Sequence, residues 1–310
     1  MLSHPPQAIS RWRHPLRRGW LLLCLIFFTI PASAAQILLT ASDSNGAMLA
    51  FTEALATLRP ADQVRFSRLC ELPAPHQLPA DTRLILLDPA SLDWRLQDQR
   101  GPPTLALRIS RVQARERLGE QHPAQLSLLW NDPSLVRQLR LIRAVLPQAR
   151  RIGVLYSRNS EFLLPETRQA ARALGLQIIA QRWDDPYDNR ALQTLLNDSE
   201  VLLGLDDPAL YNPSTAKSLL LSSYARQQAL IGPTASFVRA GSLASTYSDE
   251  QDWLQIIDNL LDRPPARWPR AQYPQRFKVL SNPQVARSLG IEDIDESSLA
   301  NRLAEGEVRP

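Results

Sequence analysis

Residues 150–181 read RRIGVLYSRNSEFLLPETRQAARALGLQIIAQ and contain one complete strand–loop–helix–strand unit. The apolar run 151–156 predicts a strand, the polar loop 157–160 follows it, and the helix ends at Gly175 before a second apolar run at 176–181. Strands that alternate with helices in this way are typical of a parallel sheet covered by helices. The unit therefore predicts an α/β fold, and it raises the question of what the polar loop does.

The same alternation extends over most of the chain. Further apolar runs predict strands at 36–40, 83–88, 104–109, 201–205 and 229–232. Helix start signals lie between them, where a capping side chain precedes a proline at Asp132-Pro133, Asn212-Pro213 and Asn282-Pro283, or forms a capping box at Ser248 with Gln251. In 133–146, apolar side chains recur at helical spacing and form one stripe.

The first thirty-four residues predict a secretory signal peptide. Four arginines and no acidic residue precede the apolar run 20–30, and Ala32-Ser33-Ala34 provides a cleavage site of small residues. The apolar run is shorter than the roughly 20 residues of a membrane-spanning helix. We expect cleavage after Ala34 and a periplasmic protein, exported by the general secretory or the twin-arginine route, with an uncleaved membrane anchor as the alternative.

Removal of this segment changes the charge balance and the cysteine count. The chain has 35 basic and 31 acidic residues, and the segment takes four of the basic ones, which leaves 31 of each. Without a basic excess we expect no binding of nucleic acid. Cys70 then stands alone, so no internal disulfide can form, and we expect this thiol to be buried and inert.

Signals for catalysis are missing from the remaining 35–310. Its two histidines, His76 and His122, each lie beside a proline, and the sequence has no nucleophile elbow, phosphate loop, dinucleotide fingerprint or zinc-protease spacing. The acidic residues Asp252, Asp258 and Asp262 fit the solvated face of a helix. We therefore expect no enzyme, no catalytic residue, no metal and no cofactor.

Polar side chains follow the predicted strands, where open parallel sheets bind their ligands. The candidate ligand-binding residues are Ser42, Asp43, Ser91, Ser110, Ser157, Arg158, Asn159, Asp206 and Thr234. They are hydrogen-bonding groups without an acid–base pair held by a third residue, so they suit binding. Arg158 could hold a carboxylate and Asp206 an ammonium group, as in an amino acid. The alternatives are that Arg158 is solvated and that Asp206 or Asp207 caps a helix opened by Pro208.

The segment QLRLIRAVLPQARRIGVLYSRNS, followed by ARALGLQI, resembles the periplasmic substrate-binding proteins of ABC transporters, in particular the type I branch that includes binders of aromatic amino acids. The strand 279–282 that leads into Ala286-Arg287-Ser288-Leu289-Gly290-Ile291 is similar to the final segment of that family. VRAGSLAS at 238–245 is similar to its return crossover. The likeness runs over about 125–292.

The resemblance implies two doubly wound parallel-sheet lobes, joined by three crossovers, with a ligand in the cleft between them. Lobe one would comprise 35–124 with 244–275 and lobe two 125–243 with 276–300, followed by a tail at 301–310. The family's contact positions correspond to Ser42, Asp43, Ser91 and Ser110 in lobe one and to Ser157, Asn159, Asp206 and Thr234 in lobe two. Closure of the lobes on a ligand would be a hinge motion.

Lobe one departs from the family pattern in three places. The sequence has Leu87-Asp88-Pro89-Ala90-Ser91 where the family has a Gly-Thr-x-Ala turn, Ile109-Ser110-Arg111 where it has Thr-Asp-Pro, and a proline-rich stretch at 71–81 where it has a helix. Two hypotheses follow. The first is a monomeric solute-binding protein of an ABC-type uptake system, with an inner-membrane permease as its partner. The second is a sensing or accessory protein of a membrane receptor or sensor that uses the same fold without transport.

Overall fold

The structure is a computed structural model, and it describes Met1 and residues 34–119, 121, 123–185 and 187–307. The chain divides into two compact units, Met1–Ala34 and Ala35–Pro310. The predicted signal peptide, apart from Met1 and Ala34, lies outside the described residues, and so does His122. No helix in the described part of the chain has the length and apolar character that crossing a membrane requires.

Strands and helices alternate through the second unit. The strands are β1 Gln36–Ala41, β2 Gln63–Arg68, β3 Arg83–Leu86, β4 Thr104–Ile109, β5 Leu126–Trp130, β6 Arg151–Tyr156, β7 Gln177–Arg182, β8 Val201–Leu203, β9 Ala229–Ile231, β10 Ala244–Tyr247, β11 Ala271–Gln272 and β12 Lys278–Ser281. The α-helices are α1 Gly46–Leu58, α2 Pro89–Leu96, α3 Arg111–Leu118, α4 Leu135–Val145, α5 Leu164–Ala173, α6 Arg190–Asp198, α7 Pro213–Tyr224, α8 Ala235–Ala240, α9 Glu250–Leu261, α10 Pro283–Ser288 and α11 Glu296–Glu305.

The described strands form two six-stranded sheets, with the orders β11-β5-β4-β3-β1-β2 and β12-β10-β9-β8-β6-β7. All neighbours pair in parallel except β10 and β12, which are antiparallel. We call each sheet with its packed helices the first and the second lobe. The chain passes between the lobes three times, at 131–134, 248–249 and 273–277. The predicted α/β fold with two lobes and three crossovers is therefore confirmed.

Two strands lie in the other sheet from the one that the sequence boundaries implied. β5 belongs to the first sheet, so the chain leaves that sheet after 130 and not after 124. β10 belongs to the second sheet, where it pairs with β9 and β12. Part of the segment expected as a tail is helical, because α11 continues to Glu305 and Leu303 is 4% exposed.

Apolar side chains pack on both faces of each sheet. One cluster of the first lobe joins β1, β3 and β4 to α1 and α9, and one cluster of the second lobe joins β6, β8 and β9 to α4, α5 and α11. The predicted stripe of α4 places Leu135, Leu139 and Ile142 in the second cluster. Burial of such a side chain contributes roughly 1.5–3 kcal/mol before the loss of chain entropy is counted.

Helix caps agree with the sequence at some positions and differ at others. Asn212 and Asn282 cap α7 and α10 as predicted. The predicted cap at Asp132 is wrong, because α4 begins at Leu135 and Asp132 accepts a hydrogen bond from the Arg111 backbone instead. The predicted box at Ser248 is also wrong, since Asp249 caps α9 and forms the box with Asp252. The partner that competes for Asp132 lies 21 residues away, where a local pattern cannot reveal it.

Two further expectations are overturned. The thiol of Cys70 was expected to be buried, but it is exposed. Cys70 follows β2, which is the edge strand of the first sheet and has a neighbouring strand on one side only. Asp252 was expected on the solvated face of α9, but its side chain lies in the first turn and is buried, where it accepts from the backbone N–H of Asp249 at 3.1 Å.

Candidate functional site in the cleft between the lobes

The contacts that cross between the lobes involve residues near the carboxyl ends of the strands. Arg111 and Asp132 lie just beyond β4 and β5 of the first sheet, and Asp206 lies just beyond β8 of the second. Glu166 projects from α5 of the second lobe, and Tyr273 lies in the third crossover. We call these five residues the inter-lobe cluster.

The geometry of β4 brings Arg111 to this place. The register between β4 and β5 shifts after Ala106, and pairing resumes at Ile109 with Trp130. Arg108 lies in the shifted segment and has a φ of 56°, which is a left-handed conformation uncommon outside glycine. Such a bulge bends a strand and redirects the residues that follow it. Ser110 then caps α3, and Arg111 is the first residue of that helix.

Asp132 is a buried carboxylate in the middle of the cluster. Its side chain is 7% exposed, and Oδ1 accepts a hydrogen bond from the backbone N–H of Arg111 at 3.0 Å. Burial, together with the charge of Asp206, raises the pKa of Asp132 to about 7. Burial and the neighbouring Asp207 raise the pKa of Asp206 to about 6. The two carboxylates come from different lobes. Ionisation of either one costs free energy, because the charged group loses its hydration and lies near another carboxylate.

Arg111 is the guanidinium of the cluster. Its Nη1 lies 2.7 Å from Oε2 of Glu166 in the opposite lobe and donates to the hydroxyl of Tyr273 at 3.1 Å. The Phe162 ring of the second lobe faces it, with its centroid 5.8 Å from Cζ of Arg111 and 5.4 Å from Cζ of Arg115. This arrangement combines an ion pair with a cation–π contact across the cleft.

The polar loop 157–160 is organised by Asp207. Oδ2 of Asp207 accepts from the hydroxyls of Ser157 at 2.6 Å and Ser160 at 2.5 Å, and Oγ of Ser157 accepts from the Asn159 backbone at 3.1 Å. Nδ2 of Asn159 then donates across the cleft to Oε1 of Glu116 on α3 at 2.6 Å. The loop therefore connects strand β6 to the opposite lobe.

In the first lobe, Asp88 organises the ends of β1 and β3. Its Oδ2 accepts from the backbone and the hydroxyl of Ser42 at 2.7 and 2.5 Å, and its Oδ1 accepts from the backbone of Ser91, the first-turn residue of α2, at 2.8 Å. Burial alone would raise the pKa of Asp88, but the hydrogen bonds from Ser42 and Ser91 outweigh it and lower this pKa. Ser91 is fully buried in this cap, and Asp43 is exposed.

The structure brings some predicted residues together and keeps others apart. Ser157 and Asn159 lie in the loop that reaches α3, and Asp206 lies in the inter-lobe cluster. Thr234 caps α8 and borders a separate cavity of about 610 Å³ between α7 and α8. Arg158 is exposed. The assignment of these residues to ligand contact stays a prediction.

Sequence reasoning missed four members of the cluster. Asp132 was interpreted as a helix cap, although Asn131 and Asp132 follow β5 as the strand-end rule requires. The rule did not find it because the run 126–130 was not predicted as a strand. Arg111, Glu166 and Tyr273 lie in a helix or a crossover, and no local signal distinguishes them from solvated residues.

Cavities border the cleft and also lie away from it. One of about 440 Å³ lies against α3 and β5 and is lined by Arg111, Arg115, Trp130 and Phe162 among others. A larger one of about 810 Å³ is lined by the end of α4, the start of β8 and residues 290–302. This cavity lies at the amino end of β8, so it is remote from the carboxyl ends of the strands, where the inter-lobe cluster lies. Among the described residues, no group of three or more side chains could hold a metal ion.

The comparisons with known proteins rest on structure, since no protein-family model and no curated protein matches the sequence. The ABC domain in complex with L-Trp from Streptococcus pneumoniae is 16% identical, with a TM-score of 0.57 over 87% of this chain and 98% of that chain. A conserved domain protein from Vibrio cholerae has the same identity, coverage and TM-score. The ligand-free, open structure of a substrate binding protein with adhesive properties from Clostridium difficile is 16% identical, with a TM-score of 0.64 over 84% of this chain and 97% of that chain. The two sheets, their three crossovers and these similarities together identify the fold as the type I periplasmic-binding fold.

Proposed function

We propose that this chain is a periplasmic solute-binding protein of an ABC-type uptake system, and that it holds an amino acid or a similar metabolite between its lobes. The observation that carries the proposal is the inter-lobe cluster. Strands of both sheets direct Asp132 and Asp206 to one place, where burial and the charge of Asp206 raise the pKa of Asp132, and burial and the charge of Asp207 raise the pKa of Asp206. Perturbed ionisable groups in a cleft are typical of functional sites.

The cleft suits binding better than turnover. Its serine hydroxyls are engaged as helix caps or as donors to Asp207, and the described residues near it include no histidine. A nucleophile would need an adjacent base that is itself held by a third group. The similar structures also favour a ligand in the cleft, because one of them contains L-Trp. The predicted signal peptide supports a periplasmic location.

Thermal unfolding of residues 35–310 with a panel of amino acids and small metabolites tests the proposal. A ligand at one hundred times its Kd adds about 2.7 kcal/mol to the free energy of unfolding. At roughly 2–4 °C per kcal/mol, the Tm should rise by about 5–10 °C. The rise should be lost in Asp206→Asn and kept in Asp81→Asn, since Asp81 is exposed in a loop of the first lobe. A panel without any shift would count against small-molecule binding.

One observation favours the second hypothesis, an accessory protein of a membrane receptor or sensor. The lobes are joined directly by Asn159 with Glu116 and by Arg111 with Glu166. A protein that is closed in this way could present a fixed surface to a partner. A panel without a Tm shift, combined with co-purification of a membrane protein from the native cell envelope, would support this hypothesis over transport.

A further inference from the structure

The inter-lobe cleft carries an excess of negative charge. Asp132, Glu166 and Asp206 belong to the inter-lobe cluster, and Asp207 lies next to Asp206 in sequence. The cationic member of the cluster is Arg111. When Asp132, Glu166 and Asp206 are ionised, the inter-lobe cluster therefore holds three carboxylates and one guanidinium, while the guanidinium of Arg115 lies over the same Phe162 ring. Asp207 is partly satisfied by two serine hydroxyls and the backbone of Ala209, whereas none of the described residues donates a hydrogen bond to the carboxylate of Asp206.

The structure also contains a cation in this cleft, the guanidinium of Arg111. It lies between the carboxylate of Glu166 and the ring of Phe162, both from the opposite lobe, and it donates to the hydroxyl of Tyr273. A carboxylate next to an aromatic face is the arrangement by which proteins recognise ammonium and guanidinium groups. Arg111 thus stands where a ligand cation would find its partners, once the lobes separate and Glu166 and Phe162 become accessible.

We propose that the ligand of this cleft is an organic cation, a primary amine or guanidinium compound with a net positive charge. Its cationic group would meet Glu166 and Phe162 in place of Arg111, or would lie between Asp132 and Asp206. The inference rests on the proposed function, because it names the ligand class of the same site. It differs from the expectation of a neutral amino acid, in which Arg158 would hold the ligand carboxylate.

The opposite assignment, an acidic ligand held by Arg111, fits the cleft less well. A ligand of either charge would have to separate Arg111 from Glu166, so this ion pair does not decide between them. An anion, however, would enter a desolvated region where Asp132 and Asp206 already repel each other. A cation instead relieves this repulsion and allows both carboxylates to ionise.

Isothermal titration calorimetry at pH 8 on residues 35–310 tests the charge class. Agmatine, putrescine and arginine are the cationic probes, leucine and tyrosine the neutral ones, and glutamate and succinate the acidic ones. We expect the tightest cationic probe to bind at least tenfold more tightly than every neutral or acidic probe. A neutral or acidic probe that binds tightest would overturn the inference and leave the proposed function standing. Absence of binding by all the probes would contradict the inference, and the wider panel of the thermal-unfolding experiment would then decide on the proposed function.

Variants separate the charge effect from a loss of structure. Asp206→Asn and Glu166→Gln keep the size of the side chain, and each should weaken binding of the best cationic probe by about tenfold or more. Asp81→Asn and Glu53→Gln each remove an exposed charge from the surface of the first lobe, and both should leave binding unchanged. Equal weakening by all four variants, or none by the first two, would refute the assignment. Unchanged circular dichroism and a Tm no lower than that of the wild type exclude misfolding.

The pH dependence of binding gives an independent readout. Asp132 faces Asp206, Arg111 and Tyr273, and Asp206 lies beside Asp207; the raised pKa values of Asp132 and Asp206 mean that both gain protons as the pH falls from 8 to 5. A cationic probe should therefore bind at least tenfold more weakly at pH 5 than at pH 8. Binding that is equal at both pH values, or tighter at pH 5, would contradict a cation between these carboxylates.

Discussion

Replacement of Asp132 by asparagine should stabilise the protein at alkaline pH. The asparagine keeps the size of the side chain, and its Oδ1 can still accept the hydrogen bond from the backbone of Arg111, which measures 3.0 Å. What the substitution removes is the buried charge. Asp132 has a pKa of about 7 in the folded protein, against an ordinary value of 3.8. Between about pH 4 and pH 7 the folded state therefore holds a proton that the unfolded state has lost.

The magnitude follows from this difference in pKa. A difference of about three units at 1.36 kcal/mol each amounts to about 4 kcal/mol, fully expressed above pH 7. Because the folded pKa is raised, the wild type is most stable with a protonated Asp132, and it loses stability as the pH rises from about 4 to about 7. At pH 5 the cost is smaller, about 2 kcal/mol, since the unfolded chain is ionised while the folded chain is still protonated.

Urea unfolding followed by circular dichroism, at pH 5 and at pH 8, measures the effect. We expect Asp132→Asn to exceed the wild type by up to about 4 kcal/mol at pH 8, and the difference to fall by about half at pH 5. The exposed Asp81→Asn should differ from the wild type by less than about 0.5 kcal/mol at either pH. If Asp132→Asn destabilises the protein equally at both pH values, the carboxylate is needed for its hydrogen bond and the charge argument is refuted.

Three further predictions follow from individual contacts. Glu166→Gln removes the ion pair with Arg111, so the ligand-free protein should open and its radius of gyration in small-angle X-ray scattering should rise, unlike that of Glu53→Gln. Asp207→Ala leaves the hydroxyls of Ser157 and Ser160 without their acceptor, so the free energy of unfolding in urea should fall by about 2–5 kcal/mol. An unchanged free energy of unfolding would show that the loop 157–160 keeps its conformation without Asp207. The exposed Cys70 should react with a thiol reagent in the native state at a rate near that of the unfolded chain, and protection of the native thiol would contradict the exposed position.

The fold could be predicted where local signals and burial agree. The unit from β6 through α5 to β7 has continuous apolar strands and a helix that ends at Gly175, which has a φ of 67°. Such a left-handed residue favours glycine for steric reasons, so its position in the sequence marks the helix end. Edge strand β2 was missed because its sequence, QVRFSR, is largely polar and its burial is only partial. An edge strand needs no continuous apolar run, and periodicity alone does not reveal it.

The site could be predicted only in part, because its members meet through the fold. The strand-end rule found Ser157, Asn159 and Asp206, since each follows a strand that the sequence predicts. It chose Arg158 as the guanidinium, whereas the guanidinium in the cleft belongs to Arg111. Both arginines come directly after a serine at a strand end. Only the bulge at Arg108 and the start of α3 direct one of them towards the second lobe, and no residue pattern encodes that direction.

The neighbours Asp206 and Asp207 illustrate what the fold adds to such a pair. In the sequence either one could hold a ligand or cap a turn. In the structure Asp207 accepts from Ser157, Ser160 and the backbone of Ala209, so its charge is used to build the polar loop and the turn after it. Asp206 is directed to the cleft, where its charge acts on Asp132 of the other lobe. Asp207 therefore has its hydrogen-bond partners within its own lobe, whereas Asp206 can interact with groups between the lobes. The loop 157–160 contributes to the cleft by holding Asp207, the residue next to Asp206, in place.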